Sequence, residues 1–186
     1  MELFILIAIP ATIVVVAIIA NNQIVVRKNQ VAQAFGSIEI YLKKRFDLIP
    51  NLVAMLNKYM AYEKELLTDI TRLRSQLRQE ANPSDKIAAT NELNKLLTSI
   101  NLNAENYPDL KADMQFHNLQ YELRDIEDHI SAARRAYNAA VTAFNNKIEM
   151  FPANIIANLR KEHPAVLLEI PKAEQKELDI NQLLNS

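Results

Sequence analysis

The sequence contains no cysteine, so it can form no disulfide and offers no thiol nucleophile or thiolate metal ligand. It has one glycine, Gly36. That excludes a phosphate-cradling loop and a dinucleotide fingerprint, both of which need several glycines at fixed spacing. It also argues against hairpin-rich β architectures, whose tight turns rely on glycine. Charge is scarce in net terms: 21 basic against 22 acidic residues gives −1, which implies no nucleic-acid partner. The three histidines, His117, His129 and His163, do not follow a glutamate by three positions and are not paired at zinc spacing on one helix face. Asp125 and His129 form an i,i+4 pair, which reads as a surface ion pair rather than a catalytic couple. No catalytic residue, cofactor site or metal site is expected.

What is abundant is helix-compatible: Ala, Leu, Asn, Glu, Lys, Arg and Gln dominate. Leu3 to Ala20 is an uncharged run of 18, extendable to Val26. A bilayer core needs about 20 such residues, so a transmembrane helix through residues 3–26 is the first expectation. A cleaved signal peptide fits less well, because Met1-Glu2 carries no basic residue and Ile18 spoils a small-x-small cleavage pattern. A buried soluble helix would not be apolar all round unless enclosed. Arg27 and Lys28 follow the run, with Lys43, Lys44 and Arg45 beyond. The positive-inside rule therefore places the N-terminus outside and the rest in the cytoplasm.

Downstream, Val31, Phe35, Ile38, Leu42, Arg45, Ile49, Leu52, Leu56, Tyr59, Glu63, Leu66, Ile70, Leu73 and Leu77 recur at steps of four and three. They trace one seam of a long helix that needs a partner. Pro50 sits inside the seam, yet the register holds on both sides, so a local kink is expected, with Asp47 able to satisfy amides freed there. Asn82-Pro83-Ser84-Asp85 marks a turn and a helix start. A second helix carries Ala89, Leu93, Leu97, Ile100 and Ala104 and closes near Tyr107-Pro108. A third, from about Asp109, carries Ala112, Phe116, Leu119, Leu123, Ile126, Ile130, Ala133, Tyr137, Ala140, Phe144, Ile148 and Phe151, and Pro152 ends it. Asn154 to Leu159 is a candidate short helix, and the tail beyond is expected to be mostly irregular. The fold class is therefore all-α: an N-terminal transmembrane helix followed by an elongated antiparallel helical bundle. The expected division is an anchor at 1–26, a bundle at 27–158 and a tail at 159–186.

The polar exceptions are candidates for structure or for partner binding. Arg45 and Glu63 occupy apolar positions and lie too far apart along one helix to pair. Either their heads reach solvent, or each finds a buried partner across the bundle. For Arg45 the candidates are Glu122, Asp125 and Glu127. Lys43-Lys44-Arg45 and Arg134-Arg135 read as solvated basic faces. Tyr137-Asn138 and Phe144-Asn145 repeat aromatic-Asn at a spacing of seven. The aromatics fall on the seam, and Asn138 and Asn145 at its edge, placed for hydrogen bonds across helices.

Tyr41-Leu42-Lys43-Lys44-Arg45-Phe46-Asp47-Leu48-Ile49-Pro50-Asn51-Leu52-Val53 resembles the "LKRRxDLIPNLV" signature of the LemA family. Tyr107-Pro108-Asp109-Leu110-Lys111-Ala112, Phe116 and Leu119-Gln120 are similar to its "AYPDLKAxxxFxxLQxEL" segment. Ala132-Ala133-Arg134-Arg135-Ala136-Tyr137-Asn138, Phe144-Asn145 and Phe151-Pro152-Ala153-Asn154 are similar to its closing "AARRxYN…YN…FPxN" motif. The sequence departs from the family pattern at Phe35, where tryptophan is commoner, and after Asn158, where a Gly-Phe turn is missing. The resemblance implies a bacterial membrane protein with a bundle built on a long α-hairpin. It implies no agreed molecular activity. A scaffold or adaptor at the inner membrane follows as the expectation. Its partners would be lipid through residues 3–26, further copies of itself, or an unidentified membrane or signalling protein. The alternative is an accessory subunit regulating an envelope protease or sensor kinase. Arg45, Asp47, Pro50, Asn51, Glu63, Arg134, Arg135, Tyr137, Asn138 and Asn145 are the residues singled out.

Overall fold

The computed structural model describes residues 1–60, 68–72, 75 and 83–168. Glu63, Leu66, Leu73 and Leu77, and the tail from residue 169, lie outside the described residues. The chain is all-α: the described residues include no strand. Helix α1 covers Glu2–Tyr59, α2 Pro83–Asn103, α3 Pro108–Ala112, α4 Met114–Glu149 and α5 Ala153–Leu159. A 3₁₀ turn, Ala104–Asn106, links α2 to α3. Two compact units result: Met1–Asn29 with Tyr137–Ser186, and Gln30–Ala136.

In the unit 30–136, the expected stripe is the core. Ile38, Leu42, Ile49, Leu52 and Leu56 of α1 are buried, as are Phe116, Leu119, Leu123 and Ile130 of α4 and Leu93 and Ile100 of α2. Each such side chain contributes about 1.5–3 kcal/mol of gross burial energy. Cross-helix pairings run in opposite directions along α1 and α4: Tyr41 stacks on His129, Arg45 meets Glu127 and Tyr59 meets Asp113. The helices are therefore antiparallel here. Helix α2 is also antiparallel to α4, through Asn91 to Arg134 and Asn94 to Glu127.

Two expected elements differ. The long helix expected through Leu77 ends at Tyr59, with buried Met60 already non-helical. Lys58 in the last turn suits the negative end of the helix dipole, and the Tyr59 hydroxyl donates to Asp113 Oδ2 at 2.8 Å. The third helix does not run unbroken from Asp109. It breaks at Asp113, which takes extended backbone (φ −73°, ψ 118°). There the Asp113 side chain caps α4, accepting from the Gln115 amide at 2.8 Å. Ala112, assigned to the seam, is consequently exposed, and so is Phe151, because α4 stops at Glu149 before the register reaches it. Pro50 lies inside α1, which is helical on both sides of it.

The Asp113 carboxyl is held below its usual range, first by the Tyr59 hydroxyl and then by the Gln115 amide. A depressed folded pKa stabilises above the unfolded value of about 3.9, and the contribution is lost as pH falls through the lower folded value. Acidification below about pH 4 is therefore expected to lower the protection factor of the Gln115 amide, its exchange corrected for the intrinsic pH dependence of amide exchange, with Asp113→Asn blunting the change. A Gln115 protection factor that stays constant through this range would contradict this role.

In the unit formed by 1–29 and 137–186, Ala20 and Ile24 of α1 are buried with Tyr137, Val141, Phe144 and Ile148 of α4 and Ala153 and Ala157 of α5. Val141, which the sequence reading left off the seam, is fully buried, whereas Ala140 is only partly so. After α5 the chain passes Lys161 in the left-handed region (φ 53°), closed by the Glu162 amide donating to Ala157 O.

Candidate functional site

In the unit 30–136 a buried polar cluster interrupts the apolar core. Arg45 is 3% exposed, and its NH1 donates to Glu127 Oε2 in a close ion pair. Of the three carboxylates expected as candidates, Glu127 is the partner, and the solvent-reaching alternative does not hold for Arg45. Burial pushes its guanidinium below its ordinary range, and Glu127 offsets part of that. Asn94 of α2 donates to the other Glu127 oxygen at 3.0 Å, so one carboxylate ties three helices together. Arg134, seven residues after Glu127, is 1% exposed and donates to Asn91 Oδ1 at 3.2 Å. Its Nε and NH1 have no hydrogen-bond partner among the described residues. The reading of Lys43-Lys44-Arg45 and Arg134-Arg135 as solvated faces is thus corrected. In each cluster one arginine, Arg45 or Arg134, is buried, while Lys43, Lys44 and Arg135 face outward. A cleft of about 320 Å³ opens beside the cluster, lined by Arg45, Asn94, Gln120, Arg124 and Glu127 over an apolar floor of Leu52, Ile100 and Phe116.

The other singled-out residues of this unit are outward-facing. Asp47 is exposed and pairs with Lys43 at 3.3 Å on its own helix, not with amides near Pro50. Asn51 is exposed beside a shallow groove that includes Asn118 and Glu122. His129 stacks on Tyr41 with ring centres 4.7 Å apart, and lies 3.7 Å from Asp125 at the surface. Among the described residues no group of three metal-ligating side chains occurs.

In the unit formed by 1–29 and 137–186, the two asparagines spaced by seven do something the sequence did not disclose. They do not bridge helices. Asn145 donates to Ala165 O and accepts from Ala165 N, both at 2.9 Å. Asn138 does the same with Leu168, again at 2.9 Å. Tyr137 is buried and its hydroxyl donates to Val166 O at 3.3 Å. Seven helical residues rise about 10.5 Å and three extended residues about 10 Å, so the Asn spacing matches the strap 165–168. Two turns of helix thus hold an extended segment through paired amide-to-backbone bonds. The strap is anchored just before this. Glu162 accepts from Lys28 Nζ at 2.7 Å and from Arg160 Nε at 3.3 Å, and Arg160 NH1 donates to Asn21 at 2.6 Å. The Glu162 carboxyl is held low, chiefly by the hydrogen bond from Lys28.

The signature segments fall on these same features: the Arg45 stretch and the Arg134 to Asn154 motif supply the ion pair, the strap clamp and α5. A sequence profile of the LemA family matches residues 34–181. The chain belongs to the LemA family. It is 26% identical over 166 residues to Protein LemA of Metamycoplasma hominis, covering 89% of this chain and 76% of that protein. In this LemA-family chain Arg45, Arg134, Tyr137, Asn138 and Asn145 of the motifs turn out to be internal braces, while Lys43, Lys44, Asn51 and Arg135 face outward. The signals that could have paired them were present: a lone arginine in an apolar stripe demands a facing carboxylate, and asparagines at a seam edge demand backbone partners.

Proposed function

We propose that this LemA-family protein is a membrane-anchored helical scaffold or adaptor, held in the bilayer by residues 3–26, with the helical bundle of residues 30–136 on the cytoplasmic side. One observation carries the reading. The first turns of α1 are long and apolar enough to cross a membrane, and their surface is uncovered: Ile7 is 62% exposed and Ile13 63%. Water would penalise that surface heavily, and lipid would not. Retention of the segment is supported by Ala20 and Ile24, buried within the same folded unit, and by the Asn21 and Lys28 tethers. Cleavage after Ala20 would cut through a helix that the fold uses. Rigidity is supported by the Arg45–Glu127–Asn94 tie, which fixes the register of three helices. The exposed faces are then left for other copies or for another membrane or signalling protein.

Cross-linking in intact membranes, followed by purification of the full-length protein in mild detergent and mass spectrometry, tests this. A reproducible neighbour, self or other, that survives seam-neutral surface substitutions one at a time but is lost on substituting a contiguous exposed face is the expected result. Monomers with no reproducible neighbour would reject the scaffold.

A further inference from the structure

We infer that the segment from Met150 to Leu159 is a second membrane element, immersed beside the anchor at the level of residues 12–20 and in contact with acyl chains. The inference rests on the anchor reading above and adds to it. Phe151, Pro152, Ile155 and Ile156 close an all-apolar recess of about 260 Å³ against Thr12, Ile13, Val16, Ala17 and Ala20. These α1 residues sit inside the uncharged run, well before its first charge at Arg27. Whatever solvent surrounds that stretch of α1 also surrounds the residues lying on it. The segment's outward surface matches lipid: Met150 is 61% exposed, Phe151 80%, Ile155 53% and Leu159 77%.

The polar groups are distributed as an interface requires. Asn21, Lys28, Arg160 and Glu162 bond to one another at the far end of α5, so the charges flank the apolar segment and do not fall within it. Residues Phe151 to Leu159 contain no ionisable side chain, and Ala153 and Ala157 turn inward to let α5 lie closely on the fold. A helix of seven residues is too short to span. Buried on one side by protein and apolar on the other, it fits a position inserted in one leaflet beside the span, with the terminal carbonyls of Ile156, Ala157 and Asn158 accepting from the amides of Arg160, Glu162 and Lys161.

The absence of native cysteine makes the test direct. Single substitutions Ile13→Cys, Phe151→Cys, Ile155→Cys and Thr98→Cys in the full-length protein are labelled with an environment-sensitive fluorophore. The proteins are reconstituted in nanodiscs holding one copy each, with and without lipids carrying a spin-label quencher on the acyl chain. Labels at 151 and 155 are expected to be quenched to the same extent as the label at 13, and the label at Thr98, exposed on α2, to be unaffected. Quenching at 13 but not at 151 and 155 overturns the inference and leaves the anchor standing. No quenching at 13 overturns both. A label at 151 or 155 that is blue-shifted but unquenched in discs loaded with two copies, and water-like in the single-copy discs, would show that a second copy, not lipid, covers the segment, and also overturns it.

Discussion

Replacing Glu127 by alanine is expected to lower the melting temperature of the full-length protein by about 6–12 °C. The change strands the Arg45 guanidinium, 3% exposed, without its counter-ion. Removing one partner of a buried pair costs about 3–5 kcal/mol, and the lower end applies because the Glu127 side chain is 27% exposed. At about 2–4 °C per kcal/mol for a chain of this size, 3 kcal/mol gives the stated shift. Two further losses act in the same direction. Asn94 loses its acceptor, and the repulsion of Arg45 by nearby Arg134 goes unopposed. The reciprocal change is expected to be milder. Arg45→Met places an apolar chain of similar length in the stripe and leaves Glu127 able to hydrate through its exposed part, for a loss of about 1 kcal/mol or less. The double variant Arg45→Met, Glu127→Leu is expected to recover most of the stability, since replacing both members of a buried pair is often neutral. Thermal unfolding followed by circular dichroism in detergent checks all three. Equal losses for the two single variants would show that the pair is not buried as described.

That asymmetry also shows where sequence reading succeeds. A stripe at steps of three and four depends on which residues are apolar, and the sequence states that directly. Ile38, Leu42, Ile49, Leu52 and Leu56 on one helix and Phe116, Leu119, Leu123 and Ile130 on another are buried as the periodicity expects. The same periodicity says nothing about which polar residue answers an arginine in the stripe. Glu122, Asp125 and Glu127 lie within about one and a half helical turns of one another, and only the crossing geometry selects Glu127. Helix ends were legible where the chemistry is local. Pro83 opens α2, and the break before α5 sits at Pro152. The end of α1 at Tyr59 was not, because Met60-Ala61-Tyr62 contains neither glycine nor proline and the helix stops in tertiary contacts. The cap at Asp113 was missed for a different reason. In a helix read as continuous from Asp109, Asp113 falls in the second turn, where a carboxylate looks like an ordinary solvated side chain and gives no sign of a new start.

Substituting both Asn138 and Asn145 with alanine is expected to free the strap 165–168 while leaving the bundle of residues 30–136 intact. Each asparagine exchanges a donor and an acceptor with one backbone residue, Leu168 or Ala165. Alanine deletes both bonds and supplies no substitute. A hydrogen bond contributes about 1 kcal/mol net, but the freed backbone groups of Ala165 can be hydrated, so about 1 kcal/mol per asparagine is the reasonable figure. The sum of about 2 kcal/mol corresponds to about a 30-fold rise in local opening. Hydrogen exchange should show this rise in a peptide covering residues 162–168. A peptide covering 116–130 should be unchanged. Tyr137 tempers the release without replacing the clamp. Its hydroxyl, whose pKa burial raises, stays protonated and keeps donating to Val166 O at a longer 3.3 Å. Asn138→Asp separates geometry from chemistry. Aspartate keeps the acceptor for the Leu168 amide but faces the Leu168 carbonyl with a second acceptor. About half the effect of Asn138→Ala at that residue is then too small a prediction, and a loss at least equal to it is expected. If the aspartate variant protects residues 165–168 as well as asparagine does, the strap is held by Leu168 packing rather than by the paired bonds.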